Sequence, residues 1–215
     1  MSLFSNVSVE KKYKVAVCIP ARDQIHSATS FHLYNLAQYF TKHGIENRLF
    51  ISAGTLIVNQ RQALVKEAQA WGASHVLFVD SDMEFDPLHV QSLLNKDLDI
   101  VAAAYSKRVE PLHSTAWLNS SDWTTTINPF DYPLTTPIVE AQAVGMGLCL
   151  IKISVFDNIE PPWFRLGWRQ EQYIGEDIEF CTLAIAAGYK VYVDLIISRE
   201  IGHLGTKSFK FRPDA

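Results

Sequence analysis

Cysteine is scarce in this chain. Cys18, Cys149 and Cys181 are the only three, each inside an apolar pattern and with no CxxC pair. An odd, scattered set argues against a disulfide framework and against a zinc ribbon, and reads as buried reduced thiols in a reducing compartment. Long apolar runs are missing too. Nothing approaches the roughly 20 residues needed to span a bilayer, and residues 1–14 lack the apolar centre of a signal peptide. A soluble, cytoplasmic chain is the expectation. Basic clusters are absent and the net charge is only −4, so nothing points to a nucleic-acid or anionic membrane surface.

Two glycine signatures are also lacking. No GxGxxG follows the first apolar stretch, and Gly145-Met146-Gly147 precedes a strand pattern instead of a helix, which argues against a dinucleotide cofactor. No GxxxxGK[ST] occurs, which excludes a P-loop. There is no internal repeat and no low-complexity tract.

What the chain does hold is an ordinary apolar fraction, 48% of 215 residues, enough to bury a core without staples. Residues 14–20 form a β-branched run closed by Pro20. A helix is expected over 28–43, with Leu33, Leu36, Ala37 and Phe40 on one face and Gly44 at its end. A strand over 48–51 and a helix ending at Trp71 follow, with Thr55 as its expected cap and Gly72 as its stop. Strands over 75–79 and 99–105 flank a short helix opened by Asp86-Pro87. The order β-α-β-α-β-α-β implies an α/β fold with a mostly parallel, doubly wound sheet.

The pattern then changes. Residues 106–137 lack periodicity and are too long for a plain connector, so a binding loop or lid is expected there. Strands are expected over 139–144 and 147–152, and a second irregular, aromatic stretch over 161–173. After it come a helix from Glu176-Asp177 to Gly188 and a strand over 190–197. One domain over 1–215 is the simplest account, with a nucleotide-binding half over about 14–105 and an acceptor- and metal-completing half over about 106–215.

Candidate chemistry concentrates at the end of the third strand, His75-Val76-Leu77-Phe78-Val79-Asp80-Ser81-Asp82. In parallel sheets, ligands sit beyond the carboxyl ends of the strands. Two carboxylates two residues apart repel each other unless a cation lies between them. Hard oxygen ligands suit Mg²⁺ or Mn²⁺, above all where a substrate phosphate completes the shell. Short acidic pairs are also common in turns, but here Asp86-Pro87 supplies the following helix with its own start. Glu176-Asp177 reads in two ways: as acids favouring a helix N-terminus, or as a carboxylate placed to take a proton from a hydroxyl. His203 lies between Gly202 and Leu204-Gly205, where the ring is free to reach a metal or is simply exposed.

Together these segments resemble the GT-A fold glycosyltransferases, in particular the inverting nucleotide-sugar transferases and their small bacterial and phage-like members. The resemblance rests on Ile19-Pro20-Ala21-Arg22, on Asn59 and Arg61, and on Phe78-Val79-Asp80-Ser81-Asp82. It continues through Val144-Gly145-Met146-Gly147, Gly175-Glu176-Asp177 and Gly202-His203. It implies a metal-dependent transfer of a sugar from a UDP- or GDP-sugar to the hydroxyl of a glycan, lipid or protein, with inversion. Asp80 and Asp82 match the family's DxD, Asp82 as direct Mn²⁺ or Mg²⁺ ligand and Asp80 nearer the ribose or a metal-bound water. His203 matches a late histidine that completes the metal shell. Pro20, Ala21, Arg22, Asn59, Arg61 and Ser81 correspond to donor-binding positions, and Lys207 is placed to fold over the diphosphate. Asp177 matches the general base. Gly147, Trp163 and Glu176 fall in the sugar or acceptor region, where Trp117, Trp123 and Trp168 are further stacking candidates. A homo-oligomer is a further expectation. The family's QxxRW acceptor motif is absent.

Two rival readings are a haloacid-dehalogenase phosphatase and a non-catalytic nucleotide-sugar binding module. The phosphatase places its acidic pair on the first strand, with Thr or Val two residues after the second Asp, where this chain has Glu84. The binding module is expected to show a broken DxD, ED or His, and all three are intact.

Overall fold

In the computed structural model, which describes residues 13–119, 123–169, 171–205 and 208–210, β1 (Lys14–Ala21), α1 (Ser27–Lys42), β2 (Glu46–Ala53), α2 (Ile57–Trp71) and β3 (His75–Val79) follow one another as the patterning predicts. Leu33, Leu36 and Phe40 form the buried stripe of α1, and His26 caps it through Nδ1, which accepts from the Ala28 amide. The α2 helix starts one residue later than expected: its N-cap is Leu56, without a side-chain cap, so Thr55 does not cap it. Gly72 ends α2 at φ 75°, a left-handed conformation that glycine adopts without a Cβ penalty.

Next come β4 (Met83–Glu84), α3 (Pro87–Lys96) and β5 (Ile100–Ala102). Asp86 caps α3 by accepting from the Leu88 amide, Pro87 stands at N1, and His89 closes a capping box. The expected strand over 99–105 is shorter, because its last residues leave the sheet.

The described residues of the 106–137 segment are not a free loop. They contain β6 (Ala116–Trp117), which pairs with β8 (Ala143–Val144), and a 3₁₀ turn, Pro129–Asp131. Ala116, Trp117 and Ile127 are in the core. The expected strand over 139–144 splits at Gln142 into β7 (Ile138–Ala141) and β8, which belong to different sheets. Then follow β9 (Leu148–Lys152), α4 (Ile153–Asp157), the hairpin β10 (Gly167–Arg169) and β11 (Gln172–Ile174), and α5 (Glu176–Ala186). The strand expected over 190–197 is β12 (Val191–Asp194) followed by a short helix, α6 (Leu195–Ser198). Last are β13 (Gly202–Leu204) and β14 (Ser208–Phe209).

The central sheet has seven strands in the order β2-β1-β3-β9-β5-β12-β7. β2, β1, β3, β5 and β12 run parallel, while β9 and β7 are antiparallel to their neighbours. The sheet is therefore mostly parallel, as the GT-A resemblance requires. Strand alternation divides the core between its two faces. Val76 and Phe78 enter the cluster formed with α2 and α5, and Leu77 and Val79 enter the one formed with α1 and α3. Among the described residues, no helix is long and apolar enough to cross a membrane.

Asp194 shows why β12 stops. Its buried carboxylate accepts from the Ile196 and Ile197 amides and from Ser92 Oγ, and lies 3.6 Å from Lys96 Nζ. It caps α6 and ties α3 to the sheet. Asp194→Ala removes a cap and leaves these donors unpaired. It is expected to destabilise the fold by about 1–3 kcal/mol, read as a lower midpoint in denaturant unfolding.

Candidate functional site

At the carboxyl ends of β1 and β3 a cleft of about 380 Å³ opens, and Pro20, Arg22, Asp80, Ser81, Asp82 and His203 all line it. The fold brings these residues together by two routes. β1 and β3 are adjacent parallel strands, so Pro20 and Asp80 emerge on the same edge. His203 arrives through a separate small sheet. β13 pairs antiparallel with β4, placing His203 opposite Met83, and the Leu204 amide donates to the Asp82 carbonyl at 2.7 Å.

Asp80 and Asp82 have different partners. Asp80 Oδ1 accepts from Arg61 Nη2 at 2.9 Å. Asp82 Oδ2 lies 2.7 Å from Arg108 Nη1, and its Oδ1 lies 3.4 Å from His203 Nε2. Burial lifts the Asp80 carboxyl above the usual range, with Asp82 and Glu176 adding to it against the pull of Arg61. For Asp82, burial acts upward, but the hydrogen bond and charge of His203, together with Arg108, outweigh it and hold the group low.

Arg61 is 3% exposed. Besides Asp80, its Nε lies 3.4 Å from Glu176 Oε1, and the guanidinium sits 5.4 Å from the centre of the Phe78 ring. It is an interior link between β3 and the start of α5, not a lining residue of the cleft. Asn59 is exposed and does not line the cleft, whereas its neighbour Gln60 does. Gln60 Nε2 donates to the Ala21 carbonyl at 2.9 Å, so Ala21 takes part through its backbone, pinned at the end of β1.

Asp177 opens α5 beside Glu176. Its Oδ1 accepts from the Ile178 amide at 2.8 Å, and a Cβ at residue 175 would lie 2.6 Å from that oxygen, which explains Gly175. Burial is the main cause that raises its pKa to about 6, with Glu176 adding and Arg61 opposing. A carboxylate titrating there is suited to take a proton near neutral pH.

Two expected sugar-loop residues have other tasks. Trp163 is 5% exposed, and its Nε1 donates to the Phe156 and Ile159 carbonyls. It is a core residue. Gly147 is buried: its amide donates to Tyr105 Oη at 3.1 Å, and a Cβ there would fall 2.6 Å from the Tyr105 ring. Trp117 is likewise buried, with Trp123 edge-on at 6.4 Å. Lys207 lies outside the described residues.

Besides Gln60, Arg108 and Tyr105 are site residues that sequence reasoning missed. Tyr105 packs edge-on against His203, with ring centroids 5.1 Å apart. Arg108 sits in a segment without periodicity, so no local signal marks it. The Gly145-Met146-Gly147 pair was the available hint for Tyr105, since both glycines leave room for its ring.

Whether Mn²⁺ or Mg²⁺ suits these residues is a question of donors. Among the described residues, no group of three or more His, Cys, Asp or Glu side chains is gathered as a ligand set. A pair does suit a hard cation. His203 Nδ1 donates to the Ser106 carbonyl at 3.0 Å, which leaves Nε2 facing Asp82 Oδ1 at 3.4 Å, where either a proton or a metal ion would sit between the two. Two such electron-rich groups favour a cation between them, with phosphate oxygens supplying the remaining positions.

No protein-family model and no curated protein matches the sequence. Among solved structures, A197 from STIV is similar over 94% of this chain and 95% of its own, with a TM-score of 0.58 and 18% identity. It shares the fold. A glycosyltransferase involved in the glycosylation of the major capsid of PBCV-1 aligns with 70% of this chain and 68% of its own, with a TM-score of 0.35 and 11% identity. HddC from Yersinia pseudotuberculosis complexed with GMP-PN aligns with 81% and 99%, with a TM-score of 0.37 and 10% identity.

Asp177 has a stability signature as well. Its folded pKa of about 6 stands above the unfolded value of 3.8, so between these values the native state holds the extra proton. Its contribution to stability therefore falls as pH rises through that window. Asp177→Asn is expected to raise the melting temperature at pH 7.5, with the gain vanishing below about pH 4.

Proposed function

We propose that this chain is a metal-dependent glycosyltransferase that moves a sugar from a UDP- or GDP-sugar to an acceptor hydroxyl, with inversion. The observation that carries the reading is the shared cleft. Pro20, Arg22, Asp80, Asp82 and His203 converge on one opening at the carboxyl ends of β1 and β3. Arg61 connects that opening to the acidic start of α5.

In this reading, Pro20, Ala21 and Arg22 border the nucleoside, and Arg22 and Arg108 face the diphosphate. Asp82 and His203 would hold Mn²⁺ or Mg²⁺, whose positive charge would offset the negative charge that builds on the leaving diphosphate. Asp177 takes the proton of the acceptor hydroxyl as its oxygen attacks the anomeric carbon. The bond from that carbon to the diphosphate oxygen breaks, and the nucleoside diphosphate leaves with the electron pair. Attack from the face opposite the leaving group inverts the configuration. A general base of this kind is worth about 10²–10⁴-fold in rate.

The phosphatase reading loses ground, because the acidic pair stands on the third strand in chain order. Against a binding module stands the intact set of Asp80, Asp82, Glu176, Asp177 and His203, where such a module is expected to have lost one.

The test has two parts. Thermal unfolding is followed with UDP and GDP, each with and without Mn²⁺. At a concentration about a hundred times Kd, the matching nucleotide is expected to add about 2.7 kcal/mol. That corresponds to about 5–10 °C for a chain of this size. The shift should require the metal and vanish in Asp82→Ala; no shift with either nucleotide sinks the reading. In the second part, Asp177→Asn keeps the nucleotide shift and loses transfer by about 10²-fold or more. In the wild-type protein, kcat rises with pH through about 6, the range in which Asp177 ionises.

A further inference from the structure

The β10–β11 hairpin holds two large rings in water. Trp168 and Tyr173 stand opposite each other across it, edge-to-face with centroids 4.8 Å apart, yet they are 61% and 75% exposed. Packing does not account for them.

The other face of the hairpin packs against α5. Gly167 makes room for Glu179 of α5, whose Oε1 would lie 2.5 Å from a Cβ at residue 167. Glu179 is buried and pairs with Arg165 Nε at 3.3 Å through one oxygen and with Arg169 Nη2 through the other. Ile174, opposite Gly167, is buried as well. A carboxylate held by two guanidinium groups thus fixes the hairpin to α5, the helix that carries Asp177 near its start. Tyr173 and Asp177 are four residues apart, so their Cα atoms lie within about 14 Å of each other.

An outward-facing aromatic pair on a hairpin tied to the helix that carries Asp177 marks a binding surface. We propose that it binds a saccharide, which is the acceptor of the transfer; this inference rests on the glycosyltransferase reading above. A sugar ring offers a C–H face that stacks on an aromatic ring and a rim of hydroxyls that seeks donors and acceptors. Trp168 and Tyr173 supply the stacking faces. Arg165 and Arg169, each about half exposed, have donors beyond those that Glu179 uses. The charges around the platform balance, because two arginines meet Glu179 and the exposed Glu171. That balance favours a polar, neutral ligand over a polyanion or an acidic lipid surface. A lipid chain needs a continuous apolar groove, and charged side chains border this face.

The test titrates the full chain with cellotetraose, mannotetraose, galactotetraose and chitotetraose, following tryptophan emission, with and without UDP or GDP and Mn²⁺. A serine-containing peptide and phosphatidylglycerol vesicles serve as the other arms. At least one saccharide is expected to bind and to change the emission. Trp168→Ala and Tyr173→Ala are each expected to weaken that binding about tenfold or more at unchanged melting temperature, since both rings are exposed. Trp168→Phe, which keeps a ring, should lose less. The inference is overturned if no saccharide binds, if both alanine variants bind as the wild type does, or if the peptide or the vesicles bind through Trp168 instead. The two readings fail separately. A chain that binds saccharide but no nucleotide keeps this surface and loses the transferase assignment, whereas one that binds nucleotide but no saccharide does the reverse.

Discussion

Four carboxylates meet at one end of this sheet, and the buried guanidinium of Arg61 is what lets three of them, Asp80, Glu176 and Asp177, share it. Asp80, Asp82, Glu176 and Asp177 come from two segments almost a hundred residues apart. Placed together without compensation, they would repel and take up protons. Arg61 pairs with Asp80 at 2.9 Å and stands 3.4 Å from Glu176, while Phe78 lies beneath its plane. Burial works against its charge, but Asp80, Glu176 and Asp177 more than restore it. An arginine suits this position because it stays charged when buried and presents donors in a fixed fork. Removing one partner of such an arrangement costs far more than the pair itself contributes.

Around that link the carboxylates separate into two kinds. Asp82 faces His203 and Arg108 and is held ionised. Asp80 and Asp177 lack such a histidine contact, and burial raises both. Environments that push apart the pKa values of like groups divide labour among them. Asp82 stays ionised beside His203 and Arg108, whereas Asp177 keeps its proton to a higher pH. The glycines nearby follow from the same crowding. Gly147 and Gly145 yield to the ring of Tyr105, and Gly175 yields to the Asp177 carboxylate.

The aromatic residues show how little composition says about role. Trp163 and Trp117 fill the core, and both indole-bearing side chains lie behind the sheet. Trp168 has the same chemistry but sits on a hairpin whose inner face is taken up by Glu179 and two arginines, so its ring faces outward. The difference is made by the partner across the strand and by the helix behind it. Neither is visible in a window of local sequence.

The front half of the fold was legible because its signals are local. Apolar periodicity, the Asp86-Pro87 helix start and the Gly72 stop each act within a few residues. The place of Asp80 and Asp82 was legible for the same reason, since an apolar run ending in acids has one edge on which to emerge. Other features rest on long-range pairing. β9 inserts antiparallel between β3 and β5, and residues 106–137 are drawn into the core by β6 pairing with β8. The meeting of His203 with Asp82 depends on β13 pairing with β4, and the capture of Asp80 by Arg61 depends on α2 lying over β1 and β2, from where Arg61 reaches the end of β3. By itself, then, the sequence determined which residues carry charge and which segments are strand or helix. Which charges face each other, and which rings face water, only the tertiary structure decided, because contacts between distant segments are set by the packing of the whole sheet.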